Sequence, residues 1–258
     1  MRFYLSLKDM LLINIIKEIG RYTAFIKRIF SRPPKHRVFF KQLIKEMDAL
    51  GVNSIGIVLI ISFFMGAVIT LQLAYNIELP IIPKYTVGVG ARDTMLLEFS
   101  STVVGLILAG KVGSHIASEI GTMRVTEQID VLDVMGIDSV GFLMLPKVVA
   151  LVTLMPFLVL ISMFVGVFGG WLAGSFTGVV PSEEFIYGAQ YAFVPFYIVY
   201  SLIKSVIFAF LITTISGYYG YNTSGGSLEV GKSSTKAVVV SSVQILLFNL
   251  LLTQLMLT

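Results

Sequence analysis

Two charged residues stand inside otherwise apolar stretches of this sequence. Glu98 and Lys204 each lie in a run of residues long enough to cross a bilayer. An ionisable group at the bilayer centre costs about 2.5–3.5 kcal/mol on insertion scales, so it is expected to face a partner, a cavity or water. Lys204 could offer its ammonium to a phosphate group, with Glu98 at the mouth of a cavity and Leu71 and Leu97 on its apolar wall. A buried ion pair or a snorkelling side chain is the equal alternative.

The depths of these two residues bear on whether they can pair. At a rise of about 1.5 Å per residue, the expected span limits place Glu98 about 6 Å below the outer boundary of the membrane and Lys204 about 16 to 20 Å below it. A direct ion pair would therefore need favourable helix tilts.

An acidic segment follows the second apolar run and carries a second set of candidate residues. The set is Glu119, Arg124, Thr126, Glu127, Gln128, Asp130 and Asp133. Apolar residues at helical spacing predict one helix over about 115–138, on which Glu127, Asp130 and Asp133 recur every three residues. A helix that is apolar on one face and polar on the other suits docking onto a soluble partner. A solvated loop helix is an equally good interpretation.

One nucleotide-binding pattern and two histidines also call for an interpretation. Gly226-Ser-Leu-Glu-Val-Gly231-Lys232-Ser233 fits G-x-x-x-x-G-K-[ST] letter for letter. A phosphate-binding loop also needs a preceding strand and a domain that supplies the magnesium ligand, and neither can be built here, so we interpret the match as coincidental. His36 and His115 have no neighbours at metal-ligand spacing, so no metal site and no catalytic residues are predicted.

The composition predicts a membrane protein. Of 258 residues, 56% are hydrophobic and 13% are charged, with a mean hydropathy of +0.88, whereas soluble domains are about 45–50% apolar and about 25% charged. The chain contains no cysteine, which excludes disulfides and thiolate chemistry.

The elements that must position these residues are helices. Five apolar runs are long enough to span a bilayer, and they cover approximately residues 52–75, 94–113, 147–173, 190–216 and 237–257. Residues 1–50 contain two amphipathic helices rich in Lys and Arg, the first ended by Pro33-Pro34, which suit the membrane interface. The predicted fold class is an all-α integral membrane protein with cytoplasmic interfacial helices (1–50) and a five-helix domain (51–258).

The basic residues also predict the orientation. They crowd into the first fifty positions, whereas the loop after the first span has only Lys84 and Arg92. Cytoplasmic loops carry the excess of Lys and Arg, so the N-terminus and the acidic segment are predicted to be cytoplasmic and the C-terminus to lie outside.

Small residues recur every four positions on two of the spans. They are Gly105, Ala109 and Gly113 on one, and Gly166, Gly170 and Gly174 on the other. Such stripes let helix backbones approach closely, either within one chain or between subunits.

The most distinctive stretches lie in and after the acidic segment. They are Ala109-Gly-Lys-Val-Gly-Ser114, Ala117-Ser-Glu-Ile-Gly-Thr-Met-Arg-Val-Thr-Glu-Gln-Ile-Asp130, Met135-Gly-Ile-Asp138, Leu145-Pro-Lys147, Ile203-Lys-Ser-Val-Ile-Phe208, Gly217-Tyr-Tyr-Gly-Tyr221 and Thr235-Lys-Ala-Val-Val239. Together these stretches resemble the MlaE/YrbE family of permeases, from about residue 50 onward. The chain departs from the usual family pattern at Leu97-Glu-Phe-Ser-Ser101, where the family has Arg-Glu-Leu-Gly-Pro, and at Ser139 and Lys147.

The resemblance implies a specific assembly. A homodimeric permease of the bacterial inner membrane would bind two cytoplasmic ABC ATPase subunits through the acidic segment, often with a STAS-domain protein, and a periplasmic hexamer of MCE-domain subunits. Its substrate would be phospholipid, and its role would be to maintain the lipid asymmetry of the outer membrane. ATP and Mg²⁺ would bind the partner ATPase, so this chain would be neither an enzyme nor a nucleic-acid-binding protein. An exporter permease for another hydrophobic substrate, a membrane-embedded lipid hydrolase and a non-transporting scaffold are the rival interpretations.

Overall fold

The computed structural model describes residues 2–77 and 82–257, with side chains from residue 16 onward. All regular structure in these residues is helical, as the sequence predicts. The α-helices are α1 (Arg2–Ser31), α2 (His36–Glu46), α3 (Ile55–Asn76), α4 (Tyr85–Thr94), α5 (Val104–Leu108), α6 (Ser114–Val125), α7 (Gln128–Val134), α8 (Ser139–Thr177), α9 (Ser182–Gln190), α10 (Phe196–Tyr221) and α11 (Ser227–Leu257). Wider or tighter helical turns at Met47–Gly51, Val52–Ser54, Met95–Val103 and Ala109–Gly113 join some of them.

Within the described residues, five continuous helices are long and apolar enough to cross a membrane. They are His36–Asn76, Tyr85–Val125, Ser139–Thr177, Phe196–Tyr221 and Ser227–Leu257, and we number them as spans one to five. This confirms the predicted number of spans. The fourth begins at Phe196 and not near 190, because α9 ends at Gln190 and Pro195 directly precedes α10.

The first two spans are longer than the sequence predicts. The second amphipathic helix, α2, runs without a loop into α3, since Gly51 keeps right-handed helical angles (φ −96°, ψ −66°). The predicted boundary at residue 50 therefore lies inside a continuous helix. The second span begins at Tyr85, nine residues before the predicted start at 94.

The glycine stripe on α8 packs against α3. A Cβ added to Gly66 would lie 1.8 Å from the carbonyl oxygen of Gly166, so the two backbones are in direct contact. Beside it, Ser62 Oγ donates to Ser162 Oγ at 2.8 Å. The second stripe meets α10, since Gly105 faces Phe208. Both stripes thus pack within one chain, which was the first of the two alternatives.

The N-terminal helix α1 lies against α8 and α10. Phe25 and Ile29 are buried at 7% and 0% exposure, and the Tyr22 hydroxyl lies 2.7 Å from Thr214 Oγ1. Burial raises the pKa of the Tyr22 phenol above its usual value. The helix ends at Ser31, just before Pro33. The side chains of Leu11, Leu12 and Ile15, which helped to predict the amphipathic pattern, lie outside those that the structure describes.

The acidic segment forms two helices, so the prediction of one helix over about 115–138 was wrong. The end of the second span, α6, stops at Val125, and Glu127 has a left-handed backbone conformation (φ +60°) before α7 begins at Gln128. The β-branched pair Val125-Thr126 has low helix propensity, which favours a break at this point. A second left-handed residue, Gly136 (φ +76°), follows α7. The segment therefore has a corner at each end of α7.

Candidate functional site

The two intramembrane charges form a direct ion pair. Lys204 Nζ lies 2.9 Å from Glu98 Oε1 and donates to the Leu97 carbonyl oxygen at 3.3 Å. The ammonium also lies 4.3 Å from the ring centroid of Tyr200. Lys204 is completely buried, so its charge is neutralised inside the protein.

The carboxylate of Glu98 also forms hydrogen bonds with polar groups of the fifth span. Asn249 Nδ2 donates to Glu98 Oε2 at 2.9 Å, and Thr253 Oγ1 lies 3.2 Å from Glu98 Oε1. Thr102, one turn along the same span, has its hydroxyl 3.2 Å from Glu98 Oε2. We call Glu98, Thr102, Lys204, Asn249 and Thr253 the intramembrane cluster. It ties the second, fourth and fifth spans together.

The depth argument from the sequence was wrong, and the misplaced span limits explain why. Glu98 follows the true start of its span at Tyr85 by 13 residues, and Lys204 follows Phe196 by 8 residues. Glu98 therefore lies further from the start of its span and Lys204 closer to the start of its span than predicted, and the two side chains are in contact.

The two halves of the ion pair differ in exposure. The Glu98 side chain is 38% exposed, whereas that of Lys204 is 0% exposed. The carboxylate edge is thus the part of the cluster that a ligand could reach. Leu97 contributes its carbonyl oxygen to Lys204, and Leu71 lies half-buried in α3, outside the hydrogen-bonded cluster.

On the predicted cytoplasmic side, the residues proposed for docking divide into two groups. Glu119 is partly exposed and accepts a hydrogen bond from the buried Lys147 Nζ at 2.6 Å. Arg124 and Asp130 form an ion pair of 2.5 Å across the break between α6 and α7. Thr126, Glu127 and Gln128 are exposed at the corner itself. The structure thus brings six of the seven residues to the corner or to α7 and directs Glu119 away from them.

The last residue of that set in the sequence, Asp133, contacts α1. Its Oδ1 accepts from the Ser139 backbone N–H at 3.3 Å and lies 3.6 Å from Arg28 Nη2. Arg28 Nε also donates to Asp138 Oδ1 at 2.8 Å. Although burial alone would lower the pKa of Arg28, the neighbouring Tyr221 and Asp138 raise it. The acidic segment is therefore fastened to the N-terminal helix.

The outer surface of α7 is partly apolar. Val131, Val134 and Met135 are 57%, 89% and 67% exposed, whereas Ile129 is fully buried. Gly136, with a left-handed backbone conformation, turns the chain directly after Met135. A short helix with exposed apolar and acidic residues offers both kinds of contact that a docking surface uses.

Sequence reasoning missed a buried charge at the foot of the third span. Lys147 is 2% exposed and lies 2.7 Å from Glu46 Oε1 and 2.6 Å from Glu119 Oε2. We call these three residues the basal triad, and it joins α2, α6 and α8. A lysine in the first turns of an apolar helix was the available signal, since such a residue needs a partner.

The region that resembles a phosphate-binding loop has a different geometry. α11 begins at Ser227, so Gly231, Lys232 and Ser233 lie inside a helix whose N–H groups bond within it. Lys232 Nζ pairs with Glu229 Oε1 at 2.6 Å. A phosphate cradle requires free backbone N–H groups at a loop before the helix. Among the described residues, no group of three His, Cys, Asp or Glu side chains could hold a metal ion.

Comparison with known proteins decides the family. A sequence model of the family described as "Permease MlaE" matches residues 43–255. The chain belongs to the MlaE permease family. Its relatives include a probable ABC transporter permease protein of Rickettsia bellii, 37% identical over 246 residues, which cover 94% of this chain and 93% of the relative.

Two further relatives of this MlaE-family chain have more specific names. The intermembrane phospholipid transport system permease protein MlaE of Haemophilus influenzae is 31% identical over 245 residues, covering 95% of this chain and 94% of that protein. Protein TRIGALACTOSYLDIACYLGLYCEROL 1, chloroplastic, of Arabidopsis thaliana is 32% identical over 225 residues, which cover 87% of this chain and 64% of that protein. This chain is therefore an ABC transporter permease subunit with membrane-spanning helices.

Proposed function

We propose that this permease moves phospholipid between the bacterial inner membrane and a periplasmic MCE-domain hexamer, and so helps to maintain outer-membrane lipid asymmetry. The names of the Haemophilus and Arabidopsis relatives support a lipid substrate. The observation that carries the proposal is a half-exposed carboxylate, Glu98, held in the membrane by the fully buried Lys204. A polar site of this kind in an apolar surface matches an amphipathic ligand.

The energetics of the substrate favour a sheltered apolar path. At about 0.8 kcal/mol per buried methylene, exposing two acyl chains to water would cost on the order of 20 kcal/mol. A permease must therefore offer a continuous apolar surface that contains few polar binding positions. We assign Glu98, Lys204, Leu71 and Leu97 to this lipid pathway, with Lys204 orienting the Glu98 carboxylate through the 2.9 Å ion pair.

The energy for transport would come from a partner ABC ATPase dimer that binds ATP and Mg²⁺, since we assign no cofactor to this chain. Docking would use α7 and the corner before it, where Glu127, Gln128 and Asp130 are exposed beside Val134. We propose that the permease is a homodimer, that a STAS-domain subunit can join it, and that α1 and α2 lie in the cytoplasmic interface. The N-terminus would then be cytoplasmic and the C-terminus periplasmic.

The transport role is tested by lipid transfer from proteoliposomes that contain the permease with its ATPase. Lys204→Met leaves Glu98 without its cation, and we expect transfer to fall at least tenfold while membrane insertion and ATPase binding persist. Lys41→Met, the same substitution at an exposed lysine of α2 outside the cluster, is the matched control. Unchanged transfer by Lys204→Met would remove the cluster from the pathway.

A further inference from the structure

A cleft opens between α1, α10 and α11, near the turn that joins the last two spans. It has two adjoining compartments of about 410 Å³ and about 390 Å³, which share Glu18, Tyr218 and Tyr219. Tyr218 is 14 residues from Lys204 on α10, which corresponds to about 21 Å along the helix. The polar compartment is therefore well separated from the intramembrane cluster, whereas the apolar compartment extends along α10 and α11 to Leu211 and Phe248.

The first compartment is polar and carries an excess of positive charge. Its charged side chains are Glu18, Arg21, Glu229, Lys232 and Lys236. Both carboxylates are engaged, since Tyr218 Oη donates to Glu18 Oε2 at 2.6 Å and Glu229 pairs with Lys232 at 2.6 Å. Among the side chains that the structure describes, no carboxylate forms an ion pair with Arg21 or Lys236. The Lys236 ammonium lies 5.1 Å from the ring centroid of Tyr219.

The second compartment is apolar and continues directly from the first. It is lined mainly by Ile19, Tyr22, Leu211, Ile215, Val240 and Phe248. Ile19 is 57% exposed at its edge, so the compartment is open to the surface of α1. A free phosphate or a nucleotide would occupy only the polar part, whereas a fatty tail without a charged end would occupy only the apolar part. An anionic head joined to hydrocarbon fits both.

We propose that this cleft binds an anionic glycerophospholipid from the leaflet on which α1 lies. The phosphate would sit between Arg21 of α1 and Lys236 of α11, and one acyl chain would enter the apolar compartment. The lipid would thereby hold α1 against the fourth and fifth spans, in addition to the direct contact between Tyr22 and Thr214. This site goes beyond the proposed transport pathway, because it neither includes nor touches Glu98.

Native mass spectrometry of the delipidated full chain tests the site. We expect dioleoyl phosphatidylglycerol to bind at least tenfold more tightly than dioleoyl phosphatidylcholine, which has the same chains and no net charge. Arg21→Gln and Lys236→Gln should each weaken phosphatidylglycerol binding about fivefold, the effect of one basic residue at an anionic lipid surface. Lys17→Gln, an exposed change on the same helix outside the cleft, should leave the affinity unchanged.

A second pair of variants tests the apolar compartment. Ile19→Trp should fill its edge and weaken phosphatidylglycerol binding at least threefold, whereas Ile16→Trp, which is 67% exposed and does not line the cleft, should have no effect. All five cleft and control positions are on exposed surfaces, and size-exclusion chromatography is the check that each variant is folded.

Three results would overturn the proposal. The first is equal affinity for the two lipids, and the second is a loss for Lys17→Gln as large as that for Arg21→Gln, which would indicate diffuse surface charge. The third is displacement of phosphatidylglycerol by millimolar inorganic phosphate or ATP, which would indicate a soluble anion site. Binding is measured here without transport, so a failure of the transfer assay and a failure of this assay are distinguishable.

Discussion

The side chain of Lys204 is fully buried, whereas that of its partner Glu98 is 38% exposed. The free-energy cost of losing the partner is therefore expected to be larger for Lys204 than for Glu98. Removing charges from water costs several kcal/mol per ion, and a buried pair recovers this only when its other hydrogen bonds are satisfied. Lys204 has the Leu97 carbonyl and the Tyr200 ring, and Glu98 has Asn249. The cluster is therefore a satisfied network, and the costliest change would be one that leaves Lys204 buried without its carboxylate.

A double-mutant cycle at this pair tests that asymmetry. Glu98→Leu leaves the Lys204 charge buried and unpaired, and we expect it to destabilise the protein by about 3–5 kcal/mol. Lys204→Met should be milder, because the Glu98 carboxylate keeps Asn249 and partial contact with solvent. The double variant should recover much of the loss. The measurement is thermal unfolding in detergent, and strictly additive effects would contradict the paired network.

The basal triad makes a similar prediction at a second place. Lys147 is the one cation between Glu46 and Glu119 in this triad, so Lys147→Met would bring two carboxylates together without a counter-charge. We expect a loss of about 3 kcal/mol or more in the same unfolding measurement. Lys147→Arg keeps the charge and should retain most of the stability, although two carboxylates at fixed positions limit how well the larger guanidinium fits. Equal losses for the two variants would show that packing, and not charge, sets the effect.

Among the elements, the contact between α3 and α8 depends on the absence of side chains. A Cβ on Gly66 would lie 1.8 Å from a backbone oxygen of α8, and one on Gly169 would lie 2.3 Å from the Phe63 oxygen. Backbone atoms cannot rotate away as a side chain can, so the two helices would have to separate. This contact joins the first and third spans, against which α4 and α9 also pack.

Two alanine substitutions on α3 separate this steric effect from helix propensity. Gly66→Ala should abolish folding or lower the melting temperature by more than 10 °C, because α3 and α8 cannot both keep their positions. Gly56→Ala is the matched control, since a Cβ there has nothing within 4 Å. It should be neutral or stabilising by up to about 1 kcal/mol, the usual helix preference for Ala over Gly. Similar melting temperatures for both variants would contradict the close contact.

The sequence predicted some elements better than others, and the reasons are local. Five apolar runs were enough to identify five spans, because hydropathy reports burial in lipid directly. The span ends were misplaced where polar residues continue a helix, as in Tyr85–Thr94, since hydropathy does not detect an amphipathic extension. The break at Glu127 depends on one residue with positive φ, which no periodicity marks. The Glu98–Lys204 contact was recognised as a candidate, but Asn249 and Thr253 could not be assigned to it without the helix rotations.

Across the whole molecule, burial is uneven from span to span. The most apolar stretch of the fourth span is 61% buried, whereas that of the fifth is 11% buried. Many exposed residues in the second half of α11 are apolar, among them Leu246, Leu250 and Leu251. These values indicate that the fourth span lies at the centre of the helix bundle and the fifth at its outside. The outer face of α11 is where surrounding lipid or a second copy of the chain would lie, and the intramembrane cluster is next to it through Asn249 and Thr253.

The orientation of the whole chain can be tested directly because it contains no cysteine. With five spans and a basic N-terminus, α7 follows the second span and is expected in the cytoplasm, while α9 follows the third and is expected outside. Gln128→Cys and Glu183→Cys place single thiols at exposed positions on these two helices. On intact spheroplasts, a membrane-impermeant maleimide should label Glu183→Cys at once and Gln128→Cys only after permeabilisation. The reverse pattern would place the docking segment away from any cytoplasmic ATPase, and the proposed coupling would then be impossible.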